Sequence, residues 1–175
     1  MSEREKFSHY MFMAAVISLC CWGVVRGICL VDYNTRVTSH LQIAAITLDP
    51  DEAAKELSLA LDGLQRIGVN RKSGSTSILP HGAISEDVGS WYDALEHDLS
   101  WYKGGPDTEA ESRLFLDFLR LDISGHGVNG EVVSPPGISV YPRNRVFAAW
   151  AWLSVAFMLV SFLGVKDESP LPVKQ

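Results

Sequence analysis

Cysteine is scarce in this chain: three copies in 175 residues, Cys20, Cys21 and Cys29, all in or beside the first apolar segment. No disulfide framework can therefore hold the middle of the chain together. None of the four asparagines, Asn34, Asn70, Asn129 and Asn144, opens an Asn-x-Ser/Thr acceptor, so N-glycosylation is excluded. The five histidines, His9, His40, His81, His97 and His126, are scattered, and no pair has the i, i+4 spacing of a helical zinc site. Arg71-Lys-Ser-Gly-Ser lacks the spacing of a phosphate loop. Gly125-His-Gly-Val-Asn-Gly130 has no strand before it and no helix after it. Nothing marks a nucleophile elbow. These absences leave no catalytic residue, cofactor-binding residue or metal ligand to assign, and the expectation is a protein that is not an enzyme and carries no cofactor, with an enzyme of unknown class as the remaining alternative.

Clustered positive charge is also missing. From Asp32 to Arg145 there are 17 acidic and 10 basic side chains, a net of about −7. Such a segment does not displace counterions from nucleic acid, and its acidity favours solubility.

What the chain has in quantity is apolar residues, concentrated near the two ends. Val146 to Val165 is twenty residues without charge or proline, with only Ser154, Ser161 and Gly164 outside the apolar set. At ~1.5 Å rise per residue, ~20 residues match the ~30 Å hydrocarbon core of a bilayer. Trp150 and Trp152 fall in its first two turns, where indoles favour the headgroup level. Phe7 to Val25 is apolar apart from Ser8, His9, Ser18 and Gly23, and Arg26 then stands at the boundary, where it can snorkel. No small-x-small cleavage site follows, so an uncleaved anchor is expected. Gly23-Val-Val-Arg-Gly27 has small-xxx-small spacing, which makes Gly23, Arg26, Gly27, Trp150 and Trp152 candidates for helix packing.

The expected organisation is mainly α: a tail over 1–6 and a first transmembrane helix over 7–31 that continues as a helix to about 47. An acidic helical domain over 32–145, a second span over 146–165 and a tail over 166–175 complete it. Within the domain the first helix uses Leu30, Tyr33, Val37, Leu41, Ala44, Ala45 and Leu48. Asp49-Pro-Asp-Glu52 predicts an N-cap, a first-turn proline and a capping box, followed by a stripe from Ala53 to Ile67 that Gly68 stops. Thr76-Ser-Ile-Leu79 is a loop or brief strand. Ser85-Glu-Asp opens a third helix buried through Val88, Trp91, Tyr92, Leu95, Leu99 and Tyr102, which Gly104-Gly-Pro106 ends. Thr108 with Glu111 caps a fourth, buried through Leu114, Phe115, Phe118, Leu119 and Leu121. Glu131-Val-Val and Ile138-Ser-Val-Tyr141 flank Pro135-Pro-Gly137 and read as a small β-hairpin or extended pair near the membrane. The helices should pack as an antiparallel bundle between the two spans.

Ser90-Trp91-Tyr92 recurs as Ser100-Trp101-Tyr102. Ten residues turn a helix by ~1000°, about 80° short of three turns, so the aromatic pairs lie on adjacent faces. Trp91, Tyr92, Trp101 and Tyr102 are therefore candidate partner contacts, since Trp and Tyr dominate interface hot spots.

The functional expectation is a non-catalytic accessory, scaffold or assembly subunit of a membrane complex. Its partners would be the lipid bilayer and a membrane protein or a second copy of itself. It would sit in the plasma (inner) membrane with both termini cytoplasmic and the domain on the periplasmic or luminal side. A helical bundle between two spans also resembles, in topology, the sensory domains of bacterial chemoreceptors. That outline implies a ligand-binding module, which with a ten-residue tail would act through a partner chain.

Overall fold

A computed structural model describes residues 3–74, 87–106, 108–124, 134–135 and 137–166. The protein is mainly helical, and no strand occurs among the described residues. The elements are α1 (Glu3–Tyr33), a π turn (Asn34–Thr38), α2 (Ser39–Ile46), α3 (Pro50–Arg66), α4 (Val88–Lys103), α5 (Glu109–Ser124), a 3₁₀ turn (Ile138–Val140) and α6 (Asn144–Lys166). They divide into two compact units, one of residues 1–27 with 145–175 and the other of residues 28–144. Two stretches, Lys6–Ile46 and Asn144–Phe162, are long and apolar enough to cross a membrane.

In the second unit the chain stays helical from α1 through the π turn into α2. The wider π turn keeps Tyr33, Val37 and Leu41 on one buried line at four-residue steps, where a plain 3.6-residue helix would drift. Leu30 and Leu48, expected on that stripe, are exposed. The helix stops because Thr47 turns to extended backbone ahead of Pro50.

Asp49 caps α3 by accepting from the Asp51 N–H at 3.0 Å, and Pro50 sits where no N–H is needed. Glu52 does not reach back to the Asp49 backbone. Its Oε2 accepts from the Thr47 hydroxyl at 3.0 Å, and that hydroxyl accepts from the Asp49 N–H at 3.3 Å. Gly68, at φ +90°, follows α3 in the left-handed region. Asp87 caps α4 and Gly105, at φ +89°, follows it. Thr108 and Glu111 close a reciprocal box at the start of α5, with both bonds at 3.2 Å.

These helices bury Val37, Leu41, Leu57, Leu64, Leu95, Phe115, Leu119 and Ile123 in one core. Each such side chain contributes ~1.5–3 kcal/mol on leaving water, so the core needs no disulfide. The expected hairpin is replaced on its second arm by the 3₁₀ turn Ile138–Val140. Pro135 O accepts from the Ile138 N–H at 3.2 Å, and Ile138 itself is buried in the core. Residues 131–133, with Thr76–Leu79 and Gly125–Gly130, lie outside the described residues.

Arg120 ties α5 to the end of α2. Its Nε donates to Ala45 O at 2.9 Å and its Nη2 to Thr47 O at 3.0 Å, which satisfies carbonyls left open where α2 ends. Arg120→Ala is expected to lower stability by about 1–2 kcal/mol, since charge-assisted bonds to carbonyls are lost in a half-buried site. Arg120→Lys should recover less than half of that, because an ammonium lacks the fork. Urea unfolding of the full chain in detergent, followed by circular dichroism, reads both.

Candidate functional site

Along α1 the residues Ser8, Met11, Ala15, Ser18 and Trp22 recur at alternating steps of four and three. Along α6 Phe147, Trp150, Ser154, Phe157 and Ser161 do the same. That spacing places each set on one helix face. Across the first unit these faces meet through hydrogen bonds. Ser8 Oγ donates to Ser161 O at 2.6 Å, Trp150 Nε1 donates to Ser18 Oγ at 2.9 Å, and Trp22 Nε1 donates to Phe147 O at 2.8 Å. Ser18 and Ser154 hydroxyls are 3.0 Å apart, and Ser154 donates onward to Trp150 O at 3.0 Å. Small and hydroxyl-bearing residues with satisfied polar atoms are what helix pairs use where water does not drive association.

The glycines proposed for packing lie elsewhere. A Cβ at Gly23 or Gly27 would meet nothing within 4 Å. The Arg26 guanidinium stands 5.3 Å from the centroid of the Trp22 ring, a cation–π contact. Trp150 faces α1, whereas Trp152 is 72% exposed. The serines that carry the seam were visible in the sequence, but only as interruptions of an apolar run. The signal was a spacing built from steps of three and four, ten residues from Ser8 to Ser18 and seven from Ser154 to Ser161.

In the second unit the four aromatics of the repeated Ser-Trp-Tyr separate by role. Tyr92 is buried, and its hydroxyl accepts from Gln65 Nε2 at 2.8 Å near the end of α3. The Tyr102 hydroxyl donates to Asp51 Oδ1 at 2.6 Å near the start of α3, and its ring stacks on Phe115 with centroids 4.5 Å apart. The bond to Asp51 pushes the Tyr102 phenol up to about 12. The two tyrosines thus clasp antiparallel α4 to both ends of α3. Trp91 packs partly against the core, and its buried Nε1 has no partner among the described residues. Trp101 is exposed. The structure brings Tyr92 and Tyr102 to the α3 surface and does not gather the four into one outward patch.

An outward apolar face exists on α5 instead. Leu114, Phe118 and Leu121 are 47%, 52% and 49% exposed at i, i+4 and i+7, while Phe115, Leu116, Leu119 and Ile123 fill the core. The expectation that all of Leu114, Phe118 and Leu121 are buried is corrected here. α5 carries two apolar stripes, and a helix can turn only one of them inward. Exposed apolar residues at this spacing match the anchors of helix-in-groove recognition.

Between α4 and α5 lies a carboxyl pair. Asp98 is 8% exposed and its Oδ2 has no partner among the described residues. Burial first, and then the neighbouring Asp122 carboxylate, push its carboxyl up to about 6. No group of three or more His, Cys, Asp or Glu able to hold a metal occurs among the described residues. No protein-family model matches the chain, and neither a curated protein nor a solved structure matches it.

Proposed function

We propose that the chain is a non-catalytic integral membrane subunit that presents the outer face of α5 to an amphipathic helix of a membrane-protein partner. The observation carrying this reading is the exposed line Leu114–Phe118–Leu121 on a helix whose other side is locked in the core. Large apolar side chains repeated along one exposed helix face mark interaction sites on soluble surfaces. The spacing suits a helix as the occupant because anchors at i, i+4 and i+7 fill one groove.

In this reading the two apolar helices are the anchor, and the serine and tryptophan hydrogen bonds hold them as a pair inside hydrocarbon. Both termini lie on the cytoplasmic side of the plasma membrane and the acidic domain lies outside. Arg4 and Lys6 precede the first span, and long acidic segments translocate regardless of charge. Protease added to right-side-out membrane vesicles should then cleave within the acidic domain and leave both tails protected. Cleavage of the tails alone would reverse the orientation.

A photoreactive residue at Leu114 should crosslink, in native membranes, to one partner whose contact maps to a helix. Phe118→Ser should weaken that capture at least tenfold, the cost of losing one buried anchor, without changing the thermal unfolding of the chain. A crosslink to a second copy of this chain replaces the partner by self-association. Equal capture with and without Phe118→Ser removes the α5 face from the proposal.

A further inference from the structure

We infer that the open-sided pocket between α1 and α6 binds one acyl chain of a bilayer phospholipid. The inference rests on the bilayer placement proposed above. The pocket measures about 410 Å³ and is lined by Met11, Ala14, Ala15 and Ser18 of α1 and by Trp150, Leu153, Ser154 and Phe157 of α6.

Its chemistry follows from the hydrogen bonds already drawn. The Trp150 indole N–H is given to Ser18, the Ser18 hydroxyl bonds Ser154, and the Ser154 hydroxyl is given to Trp150 O. This closed chain uses the donors of both serines and of the indole. The pocket therefore offers no hydrogen for a sugar, a phosphate or an amino acid to accept. Water would also go without the two to four polar partners it needs, so the space stays dry unless hydrocarbon fills it. An apolar cavity of ~150 Å³ takes a six-carbon ring, so about 410 Å³ accommodates roughly a dozen or more chain carbons.

The shape selects a flexible chain over a second helix. Close helix approach needs small residues at the rim. Here Ala15 and Ser154 are buried at the floor, and the rim carries the exposed Leu153 and Phe157 on the α6 side, with only the exposed Ala14 small on the α1 side. A backbone cannot pass these side chains to reach the floor, whereas a chain of methylenes can.

The test uses the full chain labelled with 5-fluorotryptophan, purified in a short-chain detergent and titrated with dioleoyl phosphatidylcholine while fluorine spectra are recorded. Single Trp→Phe variants assign the resonances. The Trp150 signal should shift and saturate near one lipid per chain, while that of Trp152, exposed on the same helix, changes without saturating. Ala14→Leu fills the pocket and should abolish the saturable shift. Leu153→Ala opens the rim and should weaken the apparent affinity severalfold, which keeps the test alive if the first variant misfolds. A Trp150 shift that never saturates, or one that survives Ala14→Leu, overturns the inference. A shift that follows protein concentration instead of lipid assigns the pocket to a second copy and overturns it equally. Carbonate extraction of native membranes separates the two levels. Chain in the pellet with unsaturable Trp150 behaviour refutes the pocket alone, and chain in the supernatant refutes the bilayer placement as well.

Discussion

Asp98→Asn is expected to stabilise the protein at neutral pH by on the order of 2 kcal/mol and to change little near pH 4. The Asp98 carboxyl sits between α4 and α5 with one oxygen unpartnered, and its ionised form must do without water. Burial first and then Asp122 across on α5, opposed by His97 on its own helix, raise its pKa from 3.8 to about 6. The sign follows from proton uptake. The folded state holds this proton more tightly than the unfolded state, so the contribution is fully present below about pH 4 and is lost as pH rises through about 6. Above that range the wild-type protein carries a buried charge facing another charge. Asparagine keeps the shape, cannot ionise, and can donate to Asp122.

Thermal unfolding of both proteins between about pH 4 and 8, in one detergent at constant ionic strength, decides the matter. The wild-type midpoint should fall as pH rises, and the variant's should not follow it. Parallel curves would mean that Asp98 ionises normally. Asp122→Asn sharpens the reading. It removes the second cause of the shift and leaves the first, so it should recover only part of the gain.

The same pair illustrates what the sequence conceals. Asp98 falls beside His97 in an acidic stretch on α4 and reads as part of a solvated face. Its burial depends on α5 crossing at that level, which no local pattern reports. The caps were legible, because Asp49, Thr108 and the glycines after the helices act within a few residues. The core stripe of α3 was legible for a related reason: Ala53, Leu57, Ala60, Leu61 and Leu64 share one side and that side is buried, while Leu59 is the one leucine of α3 that faces out. On α5 the same logic fails. Leu114, Phe118 and Leu121 and the set Phe115, Leu119 and Ile123 both recur at helical spacing, and periodicity cannot say which set faces inward. The Ser-Trp-Tyr repeat is plain in the sequence, but what its tyrosines bond is not. The hydroxyl partners of its tyrosines come from Gln65 and Asp51, 27 and 51 residues away.

Gly89→Ala is expected to cost about 2–3 kcal/mol, although alanine is the better helix former. Gly89 lies in the first turn of α4, where exchanging glycine for alanine in an open helix gains up to ~1 kcal/mol. Here the backbone of residues 71–73 passes directly over it. The Gly89 N–H donates to Ser73 O at 2.9 Å, and a Cβ would stand 2.5 Å from that oxygen and 2.7 Å from Arg71 O. Both obstacles are backbone, so no side chain can swing aside, and relief requires moving either the start of α4 or the segment that follows α3. Overpacking of this kind costs ~1–3 kcal/mol, and losing the Ser73 bond removes about 1 kcal/mol more, which outweighs the gain in helix propensity. Gly63 is a parallel case, its Cβ position lying 2.6 Å from Arg36 O where α3 meets the π turn. Gly74, with nothing within 4 Å, is the control, and its replacement by alanine should be neutral. Urea midpoints for the three variants therefore test whether close backbone approach explains these glycines. A Gly89→Ala protein as stable as Gly74→Ala would show that residues 71–73 do not lie against α4.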